Sequence, residues 1–248
     1  MPASRSRPGA AGAITPPMPL SPMPLPQRPE AVVFDMDGLL FDTETLYRAS
    51  LFAAAEEMGH PMTDEVHRAM LGCPWPVIQG QLVAHLGSEA AVAAFRTVWT
   101  GRFEALLETG LCLKAGVVEL LDTLDALGLP RAIATSSRHA SVSHHLAAHG
   151  LTGRFHAVVA QGDYARSKPA PDPFLAAAAR LGLAPERCLA LEDSHNGVRS
   201  AASAGMMTVM VPDLLEATEE MRGLCRHVAG DLHAVRGMVL ASWGHGVD

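Results

Sequence analysis

A chain of 248 residues with 48% apolar and 18% charged residues is long enough to bury a core without staples and too apolar to stay disordered. Its net charge of −7 argues against a nucleic-acid or anionic-membrane surface, and no run of about 18 apolar residues could span a bilayer. The four cysteines, Cys73, Cys112, Cys188 and Cys225, form no CxxC pair, so neither a zinc site nor a redox pair is indicated; they read as buried reduced thiols, and with no leader recognised a reducing, cytoplasmic compartment is expected.

Residues 1–29 hold nine of the eighteen prolines and no acidic residue, which predicts a disordered tail. Ala31–Asp35 is then a continuous apolar strand of the kind covered on both faces, ending in Asp35-Met36-Asp37-Gly38. Asp42 can cap a helix that Gly59 ends, and Thr63–Leu71, Pro76–Leu86 and Ser88–Glu108 read as three more helices. Between two of them, Gly72–Pro76 reads as a stiff loop carrying Trp75.

The next strand, Arg131–Thr135, follows a helix over Val117–Leu127 and a stop at Gly128-Leu129-Pro130. About 95 residues separate these first two strands, whereas a parallel crossover needs only about a dozen. The excess is helical, so residues 43–112 are expected to form an inserted cap above the carboxyl end of the first strand, with the core in 30–42 and 113–248.

Strand–helix alternation continues: helix Ala140–His149, strand Ala157–Ala160, helix Pro173–Leu181, strand Cys188–Leu191, a helix to Gly205 and strand Thr208–Val211. A weak strand at His227–Val228 and helix Leu232–Leu240 finish the chain. The predicted fold is α/β, a Rossmann-like parallel sheet with helices on both faces plus the all-α cap.

Four strand ends carry unusual cargo: Asp35 and Asp37; Thr135-Ser136-Ser137; Lys168 in the loop after the third strand; and Glu192-Asp193. Carboxyl ends of parallel strands share one rim, so these groups can converge. Four carboxylates together call for a cation, and hard oxygen ligands suit Mg²⁺; a hydroxyl, free backbone N–H groups and an ammonium suit a phosphoryl group. Each group has an ordinary reading too. Thr135-Ser136-Ser137 and Glu192-Asp193 can simply start helices, and Lys168 can be an exposed loop lysine. His144, His145 and His149 have spacings that could bind a metal, but a solvated helix face is the expected reading.

The segments FDMDGLLFDTE (Phe34–Glu44), ATSS (Ala134–Ser137), SKPAPDPFLAAA (Ser167–Ala178) and LEDSHNGVRSAASAGM (Leu191–Met206) resemble the haloacid dehalogenase-like superfamily. The branch is the one with a helical cap after the first strand, near its beta-phosphoglucomutase-like and pseudouridine 5′-phosphatase-like members. The resemblance implies that Asp35 attacks phosphorus to form an aspartyl-phosphate, and that Asp37 protonates the leaving oxygen and then activates water. It implies Mg²⁺ held by Asp35, the Asp37 carbonyl and Asp193, with Glu192 as direct or water-mediated support. Lys168, the Thr135 hydroxyl and the Ser136 N–H would cradle the phosphoryl group.

The expected activity is Mg²⁺-dependent hydrolysis of a small phosphorylated metabolite, a sugar phosphate or a nucleoside monophosphate, by a monomer that binds neither nucleic acid nor membrane. A phosphosugar mutase is the alternative, but mutase members carry a histidine twelve residues after the nucleophile, where this chain has Tyr47. Dehalogenation needs no metal, so Asp37 and Glu192-Asp193 count against it. A catalytically silent binding module would have lost one of Asp35, Asp37, Lys168 or Asp193, and all are present. Glu44, Tyr47 and Arg48 face the site if the helix begins at Asp42, while Trp75 can either stack on a sugar or base or pack in the cap.

Overall fold

The computed structural model describes residues 25–71, Cys73 and 75–244. Strand β1 (Ala31–Phe34) is fully buried, and its period-2 geometry sends Ala31 and Val33 to one face and Val32 and Phe34 to the other. With β2 (Arg131–Ala134), β3 (Ala157–Val159), β4 (Cys188–Glu192), β5 (Met207–Met210) and β6 (His227–Val228) it forms one parallel sheet in the order β3-β2-β1-β4-β5-β6. The chain leaves β1 towards β2 and β3, then returns to β4 on the other side of β1. The strand order therefore reverses at β1, which is where open α/β sheets bind ligands.

Two apolar layers hold the sheet. On one face α5 (Val117–Ala126), α6 (His139–Ala148) and α10 (Leu232–Ser242) set Leu120, Leu124, Val142 and Val235 against Val32, Phe34 and Ile133. On the other, α7 (Asp172–Leu181) and α8 (His195–Ser203) bring Ala177, Ala178 and Ala201 against Ala132, Ala134 and Ala190. Small residues on both sides of this second layer let α7 and α8 lie close to the sheet. A short helix α9 (Glu219–Leu224), capped by the Thr218 hydroxyl, and a 3₁₀ turn at Pro185–Arg187 are not evident in the sequence pattern, being only six and three residues long.

Between β1 and α5 the chain forms α1 (Thr43–Glu57), α2 (Asp64–Met70), α3 (Trp75–Leu86) and α4 (Glu89–Gly110). Thr63 and Ser88 cap α2 and α4, accepting hydrogen bonds from Val66 N and Ala91 N. These four helices bury a cluster of their own, centred on Leu51, Ala54, Leu82, Phe95 and Trp99. At its heart the Trp99 indole N–H donates to the Ser50 hydroxyl at 3.0 Å. The two connections to the sheet run side by side, tied by Asp42 N to Cys112 O (2.9 Å) and Lys114 N to Leu40 O (3.0 Å).

Several expectations change. Leu25 is 5% exposed within the sheet-face core and the Gln27 amide donates to Glu186 O, so residues 25–29 belong to the ordered body. The remainder of the predicted tail, residues 1–24, lies outside the described residues. Asp42 precedes α1 but its side chain makes no cap bond; among the described residues its buried Oδ1 has no partner. Helix α3 starts at Trp75 rather than after it, while Gly72 and Pro74 of the predicted loop lie outside the described residues.

Of the four cysteines, all free, only Cys188 is buried and Cys112 is exposed. The histidines of α6 are not all on a solvated face. His145 is buried against Phe41, and burial pulls its imidazole below the ordinary value. The His149 ring nitrogens lie 2.9 Å from the carbonyls of His145 and Leu111, pinning the second connection, because Phe41 draws this end of α6 beneath the insertion.

Candidate active site

The sheet register sets the site. Phe34 lies level with Ile133 and Leu191, and Asp35 N donates to Leu191 O at 2.9 Å. The residues that follow on all three strands therefore emerge at one rim: Asp35, then Thr135 just past Ala134, and Glu192-Asp193. Lys168 arrives from the loop between β3 and α7. Its ammonium donates to Asp35 Oδ1 and Glu192 Oε1, both at 2.5 Å, and lies 5.0 Å from the Phe174 ring centroid.

The Lys168 side chain is only 8% exposed. Burial alone would lower its pKa, but the two carboxylates outweigh burial and hold it charged, above the ordinary lysine value. The other Glu192 oxygen, Oε2, accepts from Ser194 N and the Ser194 hydroxyl at 3.2 and 3.0 Å. Ser194 in turn caps α8 by accepting from Gly197 N at 3.1 Å. A Cβ on Gly197 would lie 1.8 Å from the Glu192 carboxyl carbon, so only glycine lets α8 approach this carboxylate.

Asp35, Glu192 and Asp193 each place a carboxylate oxygen within 4.8 Å of the others, all three side chains buried. Burial drives Asp35 up to about 8, with Lys168 opposing and Glu192 and Asp37 reinforcing the rise; Asp193 is raised by burial, Glu192 and Asp35. One ammonium does not balance three carboxylates, and the all-oxygen donor set suits a hard divalent cation. Gly38, at φ +85°, lies so close beneath Asp193 that a Cβ there would fall 2.3 Å from Asp193 Oδ2.

The Asp37 carboxylate is outside this cluster. Its Oδ2 accepts from the Ser137 hydroxyl at 2.7 Å and, more weakly, from Thr135 Oγ1 at 3.4 Å. Thr135 Oγ1 also accepts from Ser137 N at 3.0 Å, and the Tyr164 hydroxyl donates to Thr135 O at 3.1 Å, which fixes this turn. Thr135 is fully buried, whereas Ser136 is exposed at the rim. The two aspartates of β1 therefore have different neighbours: Asp35 an ammonium and two carboxylates, Asp37 two hydroxyls.

The insertion contributes less than its sequence suggested. Glu44 and Tyr47 lie one helical turn apart on α1 and reach the cleft between insertion and sheet. Burial, then Asp213, Asp37 and Asp42, raise Glu44 to about 7, with Lys114 opposing. The Tyr47 ring packs edge-on to Trp99 (4.5 Å) and Phe103 (5.5 Å), and burial raises its hydroxyl above the ordinary value. Arg48 turns away to an ion pair with Asp64 and stacks on Phe52. Trp75 opens α3 with the Arg96 guanidinium 4.2 Å over its ring and packs against the insertion's own core.

Sequence reasoning gave no role of its own to Ser137, Ser194, Gly197 or the Lys114–Asp213 ion pair of 2.7 Å. The first three lie within the quoted motifs ATSS and LEDSHNGV. Lys114 and Asp213 are 99 residues apart, and nothing local marks them as partners.

A family model for haloacid dehalogenase-like hydrolases matches residues 29–205. The chain belongs to this family of hydrolases. A relative named probable pseudouridine-5′-phosphatase, from Drosophila melanogaster, is 37% identical over 187 residues, covering 73% of this chain and 80% of the relative. A phosphorylated carbohydrates phosphatase from Thermotoga maritima is 32% identical, covering 71% and 82%. Among solved structures, a HAD family hydrolase from Deinococcus radiodurans with bound phosphate and sodium superposes with a TM-score of 0.74 at 27% identity, covering 86% of this chain and 96% of that one.

In this hydrolase the Gly197→Ala variant is expected to displace Glu192, free Lys168 and lower kcat/KM by at least about tenfold, with a stability loss of about 1–3 kcal/mol; steady-state kinetics and urea denaturation measure both. Glu44 gives a second expectation. Its native pKa of about 7 stands above the ordinary 4.5, so the folded state keeps a proton that the unfolded state has lost between these values. Its ionisation thus costs stability progressively as pH rises from 4.5 to 7. Glu44→Gln should therefore be more stable than the parent at pH 8, by up to about 3 kcal/mol, with the gap closing below about pH 4.5 in urea titrations.

Proposed function

We propose that this chain is a phosphatase that hydrolyses the phosphate monoester of a small metabolite, a sugar phosphate or a nucleoside monophosphate, by way of an aspartyl-phosphate. The observation that carries the reading is the unequal treatment of the two β1 aspartates. Asp35 sits against a buried ammonium, where an anionic nucleophile and an anionic phosphoryl group can be held together. Asp37, two residues on, is held by the Ser137 hydroxyl at a separate position suited to proton transfer.

In the first step the Asp35 carboxylate forms a bond to phosphorus. The ester P–O bond breaks, and the leaving alkoxide takes its proton from the Asp37 carboxyl. In the second, the Asp37 carboxylate removes a proton from water, whose oxygen attacks phosphorus. The aspartyl P–O bond breaks, inorganic phosphate leaves and Asp35 returns as a carboxylate. Lys168 stays charged throughout and offsets phosphoryl charge, with the Ser136 N–H at the rim as a further donor.

Asp35, the Asp37 carbonyl and Asp193 would hold Mg²⁺, with Glu192 orienting Lys168 and supporting the cluster. When bound, Mg²⁺ supplies the positive charge that lets an anionic carboxylate approach an anionic phosphate. The relatives' names, one a nucleotide-type phosphatase and one a carbohydrate phosphatase, support the substrate class. Tyr47, with its ring between Trp99 and Phe103, occupies the position of the mutase histidine and favours water as the acceptor. The free thiols suit a reducing compartment such as the cytoplasm.

Asp35→Asn is expected to cut turnover of phenyl phosphate by at least about 10³-fold while leaving the unfolding transition in place; substantial residual turnover removes Asp35 as nucleophile. Exhaustive chelation should abolish activity and added Mg²⁺ restore it, as followed by phosphate release. Full activity in chelator would mean that the buried carboxylates serve another purpose.

A further inference from the structure

The loop that carries Lys168 is pinned at both ends. Where it leaves β3, Gln161 N donates to Ser137 O at 2.9 Å. Asp163 Oδ2 accepts from Ala160 N at 2.9 Å and from Arg180 Nη1 on α7 at 3.0 Å. At the far end the Ser200 hydroxyl on α8 donates to Ala170 O at 2.6 Å. Tyr164, four residues before Lys168, takes no part in these bonds and reaches out of the loop instead.

The half-buried Tyr164 ring packs against the alanine layer of the sheet, and its hydroxyl donates to Thr135 O at 3.1 Å. Thr135 is fully buried just past the end of β2. Thr135 N donates to Val159 O, and one further step of that parallel ladder would bring Gln161 N to Thr135 O. Gln161 N goes to Ser137 O instead, so the sheet leaves this carbonyl without a donor. A buried carbonyl needs one, and the phenol supplies it.

The Thr135 carbonyl and the Ser136 amide are two ends of one peptide unit, which is trans. A trans peptide is planar with its C=O and N–H pointing in opposite directions, so holding one end aims the other. A hydrogen bond to the carbonyl also polarises the unit and makes its N–H a stronger donor. The amides on either side are engaged, Thr135 N with Val159 O and Ser137 N with Thr135 Oγ1, both at 3.0 Å. Among the described residues Ser136 N donates to no backbone carbonyl, and Ser136 is exposed at the rim.

We propose that Tyr164 is a positioning residue for phosphoryl transfer: by donating to Thr135 O it orients and polarises the Thr135–Ser136 peptide, so that the Ser136 N–H is aimed at a phosphoryl oxygen. This rests on the phosphatase reading above and deepens it by one residue that touches no substrate. Tyr164 acts on the charge that develops on the phosphoryl oxygens, and neither on attack by Asp35 nor on proton transfer by Asp37.

The full chain with Mg²⁺ is assayed on phenyl phosphate and 4-nitrophenyl phosphate, whose leaving groups differ in basicity. Tyr164→Phe deletes one hydroxyl and keeps the ring. It is expected to lower kcat/KM about tenfold for both esters alike. The inhibition constant of orthovanadate, which copies five-coordinate phosphorus, should rise by a similar factor. In ¹⁵N-labelled protein the Ser136 amide proton should move upfield as its peptide loses polarisation, while the Lys168 amide keeps its position. Urea unfolding checks that the variant is folded under assay conditions.

Any of three results overturns the proposal while leaving the phosphatase standing. The first is kcat/KM within about twofold of the parent on both esters. The second is a loss confined to phenyl phosphate, the ester that most needs a proton, which would place the effect on Asp37. The third is movement of the Lys168 amide with Ser136 unchanged, which would mean that the hydroxyl only holds the loop. Absence of turnover of both esters by the parent chain overturns the phosphatase reading itself.

Discussion

The buried ammonium of Lys168 is the interaction on which the site depends. It lies 2.5 Å from oxygens of both Asp35 and Glu192, two carboxylates that would repel each other in a nearly water-free rim. Removing one partner of a buried ion pair leaves an uncompensated charge, typically at a cost of about 3–5 kcal/mol. The surroundings are arranged so that this does not occur. Ser194 holds Glu192 from the other side, Gly197 leaves room for it, and Phe174 lies beside the ammonium. Lys168, from the loop before α7, thus meets groups from β1, β4 and the first turn of α8, none of them near it in sequence.

That arrangement also separates the surroundings of two aspartates with a single residue between them. Successive strand residues point to opposite faces, and two residues on from Asp35 the backbone has already left the strand. Gly38 makes the turn with positive φ beneath Asp193, and Leu40 N and Phe41 N both donate to Met36 O, closing a tight loop. Asp37 is thereby carried from the carboxylate cluster to the hydroxyls of Thr135 and Ser137. The two aspartates thus differ in charge environment, Asp35 beside an ammonium and Asp37 beside hydroxyls.

The helical insertion is tied to the sheet at a narrow neck. Asp42 with Cys112, Leu40 with Lys114 and His149 with Leu111 hold the two connections, while the insertion keeps a hydrophobic cluster of its own. The carboxylates and Lys168 are therefore positioned by the sheet, while α1 through α4 pack around an apolar cluster of their own. Glu44 at the start of α1 is the point where the two meet, and its raised pKa reflects burial first and then the nearby carboxylates of Asp213, Asp37 and Asp42.

Much of this was legible in the residues themselves. A parallel sheet follows from apolar runs alternating with helical periodicity, and the rim from polar groups placed at the ends of those runs, because strand direction in a parallel sheet puts every carboxyl end on one side. Asp35, Asp37, Lys168, Glu192 and Asp193 are recognisable on that basis. What local pattern does not carry is the pairing of distant side chains. That Ser137 holds Asp37, that Lys114 meets Asp213, that Arg96 covers Trp75, that His145 is buried beneath Phe41 and that His67 is buried against Phe52 depend on helix–helix and helix–sheet packing. The same residues could sit in solvent on any isolated helix, so only the tertiary structure decides them. At strand ends, position along the chain implies position in space; between packed helices it does not.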